Sequence, residues 1–257
     1  WGTNTIRYAA PRIRCSRCCR TRTHKYILNL ASDQTNPILK PEAGEVVKKH
    51  GELGLSYTGD PNPRNQCWPE GPPFVFTNGP TQLVQTPDKV TILYGYNHQV
   101  RHVRMNHTHP AKVTPSWYGD SVGHYEGDTL VVDTVAMKVG PYSMVDWYGT
   151  PHSEALHVVE RYRMLDYEAA KEAFDRDAKE HTVPPGKPVA NPEGKYLQLR
   201  FTVEDNNVFT TPWTATMTYG AGGDDAAADW SEYACAENIQ WYPGKESDVP
   251  RAIKPDF

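Results

Sequence analysis

The 257-residue sequence lacks long apolar runs and the phosphate-loop and dinucleotide-binding motifs. A helix that spans a bilayer takes about 20 apolar residues, and no stretch approaches this, so we expect no membrane span. No phosphate-loop or dinucleotide-binding pattern is present, which removes the motif evidence for those enzyme classes. No signal-peptide pattern opens the sequence, and a leader removed ahead of Trp1 would leave no trace.

Acidic residues are missing from one end of the chain, and cysteines are few. Seven of the 27 basic residues but none of the 31 acidic ones lie in residues 1–26, so the remainder has a net charge of −11. An acidic body argues against nucleic acid as a partner. Three of the five cysteines crowd residues 15–19 without the second ligand pair of a zinc site. Cys67 and Cys235 form either a disulfide in an oxidising compartment or two separate thiols.

Four segments are expected along the chain. Residues 1–30 form a basic Cys/Arg-rich arm, either disordered or wrapped around a partner subunit in a homo-oligomer. Residues 31–73 contain a short helix opened by Pro41, followed by a Pro/Gly-rich connector. Residues 74–242 form an antiparallel β domain with one helix at 166–181, capped by Asp166. Residues 243–257 form a C-terminal tail.

The β domain is predicted from repeated strand signals. Segments rich in β-branched and aromatic residues recur: "TQLVQT", "KVTILYGY", "QVRHVRM", "TLVVDTVAM", "EALHVVERYRML", "YLQLRFTVE" and "VFTTPWTATMTY". "SVGHYEGDTLVVDT" predicts a hairpin turning at "EGD". Short connections favour antiparallel pairing, so the fold class is mainly β. A calycin- or lipocalin-like antiparallel barrel is favoured over a sandwich.

Histidines are concentrated in "NHQVRHVRMNHTHP", residues 97–110. If residues 90–104 form one bent strand, parity places the even positions on the interior face. If "YNHQ" is instead a turn, His98 lies at a barrel mouth and His102 need not share its face. The polar and aromatic residues on the even face are Tyr94, Tyr96, His98, His102 and Arg104.

The segment from about residue 65 to 240 resembles a family of uncharacterised bacterial proteins, many of them exported. The matching phrases are "LVQTPDKVTILYGYNHQVRHV", "HP" at 109–110, "SVGHYEGDTLVVDTV", "HSEALHVVERYR" and "PWTATMTY". The sequence departs from that pattern at three positions, Asp120, His124 and Ala236. The resemblance implies a periplasmic or secreted β-rich domain but no activity. Its polar motif members are His98, Arg101, His109 and His152.

The leading hypothesis is an enzyme that acts by acid–base chemistry on a small organic molecule in the barrel, as a lyase, isomerase or hydrolase. His98 and His152 transfer protons, Arg101 or Arg104 stabilises negative charge, and Asp120 orients an imidazole. The catalytic candidates are His98, Arg101, His109, Asp120 and His152. The substrate-binding candidates are Tyr94, Tyr96, His102, Arg104, Trp117, His124 and Trp147.

Three alternatives stay open, and one of them is a purely structural role in which the basic arm, residues 1–26, organises subunits. Another is a metalloenzyme, a hydrolase or oxidase, in which His107, His109, His152 and Glu154 bind zinc, copper or iron. The third is a non-catalytic barrel that binds a small ligand, with the histidines incidental. No cofactor is required by the leading hypothesis.

Overall fold

Nine strands and two helices make up the part of the chain that the computed structural model describes, which is residues 5–9, 35–52, 68–77, 80–95, 99–140, 143–146, 149–179 and 195–221. The strands are β1 (Thr5–Ala9), β2 (Pro80–Gln85), β3 (Lys89–Tyr94), β4 (Gln99–Met105), β5 (Asp120–Glu126), β6 (Thr129–Val135), β7 (His157–Leu165), β8 (Tyr196–Glu204) and β9 (Trp213–Ala221). The helices are α1 (Pro41–Glu52) and α2 (Tyr167–Lys179), and a short 3-10 turn covers Phe74–Thr77.

The strands form a barrel in chain order. β2 to β9 make a curled sheet, and β1 pairs with both β2 and β9 to close it. The prediction of a mainly β barrel, rather than a sandwich, is confirmed. β1 lies within the segment that was expected to be an arm, whereas all five cysteines lie outside the described residues.

One strand pair departs from the predicted antiparallel arrangement. β4 and β5 are parallel, with Val103 opposite Ser121, while the other neighbouring strands are antiparallel. A parallel pair needs a long connection that returns the chain to the same end, and residues 106–119 provide it. The prediction of a purely antiparallel barrel is therefore wrong at this pair.

The predicted bent strand at 90–104 is two strands, and this changes which side chains face inward. In β3 the even positions, ending at Tyr94, are buried. In β4 the buried positions are odd and include Arg101, because Arg101 lies opposite Ile92 across the antiparallel pair. Opposed residues share a face of the sheet. His102 and Arg104 consequently lie on the outer face, and their predicted interior placement is wrong.

The two helices and the hairpin follow their sequence signals. α1 begins at Pro41, and its Val47 side chain is buried in the main core cluster. α2 follows Asp166, whose Oδ1 accepts a hydrogen bond of 2.9 Å from the backbone N–H of Ala169, as an N-cap does. β5 and β6 form the predicted hairpin. Within the described ranges, neither helix combines the length and apolar character that a membrane crossing requires.

Candidate active site

A cleft forms where several loops meet at one end of the barrel. β5 begins, β6 ends and β7 begins at this end, so the loops before β5 and β7 and the loop after β6 lie together. The chain segment ahead of β2 completes the wall. We call this space the His152 cleft; it is lined by Trp68, Pro69, Glu70, Gly71, Phe74, Trp117, Lys138, Ser143, Met144 and His152.

Two tryptophans form the aromatic wall of the His152 cleft. The ring centroids of Trp68 and Trp117 are 5.2 Å apart at an interplanar angle of 48°. Gly140 permits this approach, because a Cβ atom there would lie 2.6 Å from Cζ3 of Trp68. The Nζ atom of Lys138 lies 4.9 Å from the ring centroid of Trp117.

His152 has one ring nitrogen engaged and one without a hydrogen bond. Nδ1 lies 3.2 Å from the carbonyl oxygen of Ser153, and because a carbonyl only accepts, Nδ1 carries the proton. Among the described residues Nε2 has no hydrogen-bond partner. Burial lowers the pKa of His152 below its usual value. The lowered pKa favours the neutral imidazole, in which Nε2 carries the lone pair that can accept a proton.

The backbone around His152 is held in place by a buried carboxylate. Oδ2 of Asp205 accepts a hydrogen bond of 2.6 Å from the backbone N–H of Ser153, and Oδ1 accepts one of 2.8 Å from the Ser153 hydroxyl. Asp205 follows β8, so this contact ties the loop before β7 to the neighbouring strand end. The backbone next to His152 is thus held by the barrel itself.

A buried carboxyl side chain, that of Glu70, also lines the cleft. Glu70 is buried, with an exposed fraction of 1%. Burial raises the pKa of Tyr118, and the nearby Tyr94 and Glu70 add to that increase. The cleft itself is small, with a cavity volume of about 20 Å³. That volume is enough for a water molecule or a small polar group. A larger ligand could enter only if a side chain in the wall moved.

Arg101 and Tyr94 lie in the barrel interior and not in the His152 cleft. The Arg101 guanidinium donates to Ser121 Oγ at 3.0 Å, to the Tyr94 hydroxyl at 3.2 Å and to both carboxylate oxygens of Glu160. Burial raises the pKa of Tyr94 to about 12. This network is closed and fully buried. Glu160 was not among the predicted residues, although it lies between buried Val158 and Tyr162 in an alternating pattern.

Asp120 contacts the imidazole of His109 and not that of His152, which was one of the two imidazoles that it was expected to orient. Asp120 Oδ2 lies 2.6 Å from His109 Nδ1, and Arg104 donates to both Asp120 oxygens. His109 Nε2 lies 3.0 Å from Oδ1 of Asp133. Because both ring nitrogens of His109 contact carboxylates, neither is left to take a proton from a substrate. The pair fastens residues 106–119 to the outside of β5 and β6.

Asp133 and His157 extend this outer network. Oδ1 of Asp133 lies 3.0 Å from Nε2 of His157 as well as from His109, and His157 Nδ1 lies 3.5 Å from Glu204. The hydrogen bond to Asp133 raises the pKa of His157. Burial alone would raise the pKa of Asp133, but the hydrogen bonds from the two imidazoles outweigh it and lower the pKa.

The remaining candidates are dispersed. His102 is exposed and contacts Thr91, and His124 is exposed and contacts Glu126. His107 and Glu154 are exposed. Across the described ranges, no group of three His, Cys, Asp or Glu side chains is placed to hold a metal ion, so the predicted set of His107, His109, His152 and Glu154 does not come together. Tyr96, His98 and Trp147 lie outside the described residues.

A serine motif in β5 has a structural role. "GDSVG" at 119–123 matches the G-x-S-x-G pattern of a nucleophile elbow, which requires an exposed serine on a turn from strand to helix. Ser121 is instead buried within β5, where its Oγ contacts Arg101 and Thr134. The local structure therefore rules out a nucleophile elbow at Ser121.

No protein-family model, curated protein or solved structure matches this chain. The resemblance to uncharacterised bacterial proteins, and the export that it implies, stay predictions. What can be argued about function rests on the His152 cleft, which brings together two of the predicted site residues, His152 and Trp117.

Proposed function

We propose that this protein is an enzyme that transfers a proton on a small organic molecule bound in the His152 cleft. One observation carries the proposal: a neutral imidazole with its Nδ1 proton held by Ser153 lines an aromatic cleft, and its Nε2 has no hydrogen-bond partner among the described residues. A fixed tautomer with an unoccupied basic nitrogen is what general-base catalysis requires.

In the proposed reaction, Nε2 of His152 accepts a proton from the bound substrate. The imidazolium that forms is supported by the Ser153 carbonyl, which holds the Nδ1 proton, and by the charge of Asp205. Return of the proton to a different carbon would give isomerisation, and its delivery to a leaving group would give elimination. Deprotonation of water by the same nitrogen would give hydrolysis. Isomerisation, elimination and hydrolysis can thus all begin with proton transfer to His152, and the structure of the substrate determines which of them follows.

The cleft walls support a small substrate with an apolar or aromatic contact surface. Trp68 and Trp117 provide flat apolar faces, and such walls keep bulk water from competing for the proton. Because the present cavity volume is about 20 Å³, a substrate enters only when a wall residue moves. Lys138 is the candidate, since it is exposed and its long side chain lies across Trp117.

Proton NMR in D₂O tests the proposal with a panel of small ketones, esters, hydroxy acids and amines. Deuterium exchange, isomerisation, elimination and hydrolysis are all visible in such spectra. We expect turnover of at least one class, and a loss of roughly 100-fold or more in His152→Gln, as for removal of a general base. His102→Gln is the matched control, because His102 is an exposed histidine on the outer face of β4.

Equal turnover by the wild type and His152→Gln would overturn the proposal. The second candidate function is a non-catalytic barrel that binds a small ligand, and the paired tryptophans favour it as much as they favour catalysis. Binding of a panel compound without any chemical change in it would assign that function instead.

A further inference from the structure

An ammonium group already lies over the ring of Trp117, one of the two tryptophans that line the His152 cleft. The Lys138 Nζ atom lies 4.9 Å from the ring centroid of Trp117, within the distance of about 6 Å over which an ammonium group is attracted to an indole face. Lys138 and Trp117 both line the cleft. The lysine therefore shows which chemical group this face accommodates.

The residues around the Lys138 ammonium favour a positively charged group. Trp68 adds a second indole at 48° to the first, with the centroids 5.2 Å apart. Glu70 lines the same cleft and is 1% exposed, so the lining includes a buried carboxyl group. Met144 contributes a polarisable thioether to the lining.

The same residues disfavour an anion. The two basic side chains in the lining are Lys138 and His152. Burial lowers the pKa of His152, so its ring carries no charge near neutral pH. The Lys138 ammonium lies over the Trp117 ring, and the negative π face of an indole attracts cations and not anions. The aromatic surface of the cleft thus favours a cation.

We propose that the His152 cleft binds a small organic cation, an amine or methylated ammonium compound. The Lys138 ammonium occupies the position over the Trp117 ring until this ligand displaces it. This inference rests on the proposed function in one respect, since it names the substrate class of the same cleft. Aromatic faces bind quaternary ammonium groups through the same attraction that holds Lys138. On this proposal the cavity volume is small because the Lys138 side chain occupies the position that the ligand would take.

Binding of choline and tetramethylammonium, followed by tryptophan fluorescence and calorimetry, tests the proposal on the full chain. The neutral comparison ligand is 3,3-dimethylbutan-1-ol, which has the shape of choline without its charge. Lys138→Met removes the internal cation and leaves an unbranched side chain that is one heavy atom shorter. We expect it to bind choline about 2- to 30-fold more tightly than the wild type does, a ratio that corresponds to one cation–π contact.

Lys112→Met is the matched control, because Lys112 is an exposed lysine in residues 106–119 that does not line the cleft. It removes the same charge and should leave affinity unchanged. Adding Trp117→Leu to Lys138→Met should abolish the gain. Unchanged affinity in Lys138→Met would overturn the proposal, and so would equal binding of choline and its neutral analogue. The first comparison involves no cleft-wall tryptophan, so it stands even if the Trp117 variant does not fold.

The two proposals fail separately. If cations bind to the wild type and to His152→Gln but no panel compound reacts, the enzymatic proposal is wrong and the cation site stands. If His152 is required for turnover of a neutral or anionic compound and choline does not bind, the cation site is wrong and the enzymatic proposal stands.

Discussion

Arg101 and Glu160 form a fully buried ion pair across the interior of the barrel. Nη2 of Arg101 lies 2.5 Å from Oε1 of Glu160, and the two side chains are 1% and 0% exposed. The Tyr162 hydroxyl donates to the other carboxylate oxygen at 2.6 Å. Since β4 and β7 are separated in the sheet by β5 and β6, the pair links strands that share no backbone hydrogen bonds. Its polar atoms are satisfied within the network, which marks it as a structural element.

Breaking this pair should destabilise the protein strongly. Glu160→Leu leaves the Arg101 charge buried without its partner, which costs about 3–5 kcal/mol. The double variant Arg101→Met/Glu160→Leu should recover most of that loss, because it buries no unpaired charge. Urea unfolding followed by circular dichroism measures these free energies.

Arg104→Met is the matched control for the buried pair. Arg104 bonds Asp120 on the outer face with 40% of its side chain exposed, so its ion pair contributes about 0–1 kcal/mol. If Glu160→Leu costs no more than Arg104→Met, the interior network does not hold the barrel together.

The outer network predicts how stability depends on pH. His157 lies between Asp133 on β6 and Glu204 on β8, and His109 contacts the same Asp133 oxygen. The raised pKa of His157 means that the folded state holds the proton more tightly than the unfolded state. This contribution is complete below the unfolded pKa of about 6.5 and is lost as pH rises through the folded pKa.

His157→Gln removes the contribution. We expect the wild type to exceed the variant in free energy of unfolding at about pH 6, and the difference to shrink by about pH 9. Urea titrations at a series of pH values provide the measurement, and His124→Gln, on the exposed end of β5, is the control. A difference that stays constant over this range would contradict the prediction.

The sequence was sufficient to predict the elements whose signals are local. Proline at the start of α1, the Asp166 cap of α2 and the turn of the β5–β6 hairpin all act through neighbouring residues. Which residues of β4 face the barrel interior could not be predicted in the same way. Parity reverses with one residue more or less in the connection after β3, and a shift of one residue moves every side chain to the other face.

The site was harder to predict because its parts are far apart in the chain. Asp120 was expected to orient an imidazole, but pairing it with His109 depends on the path of residues 106–119. Trp68 comes from a segment predicted as a connector, and it meets Trp117 only after the barrel forms. Glu160 lies 59 positions from Arg101. Contacts of this kind follow from topology, which local patterns do not encode.

Gly140 should be essential for the geometry of the tryptophan pair. In Gly140→Ala the new Cβ would lie 2.6 Å from Trp68 and 3.2 Å from Trp117, so Trp68 must shift. We expect a changed near-ultraviolet circular dichroism spectrum, weaker choline binding and a loss of about 1–3 kcal/mol in the free energy of unfolding.

Gly127→Ala is the comparison for Gly140. Nothing lies within 4 Å of a Cβ at Gly127, but its φ of 63° is strained for other residues. That variant should lose about 1 kcal/mol with no change in the tryptophan signals. Identical spectra for wild type and Gly140→Ala would show that the Trp68–Trp117 contact tolerates a side chain there.

The pKa of His152 should lie below its usual value. This pKa should set the pH below which the rate of a His152-dependent reaction falls. Burial lowers its pKa, so the ring gains its proton only at a pH below about 6.5. Proton NMR of the imidazole Cε1–H, assigned by its absence in His152→Gln, measures the pKa directly. If Nε2 is the base, kcat/KM for a reactive panel compound should fall with protonation at the same pKa. A rate that stays constant through the His152 titration would mean that another group takes the proton.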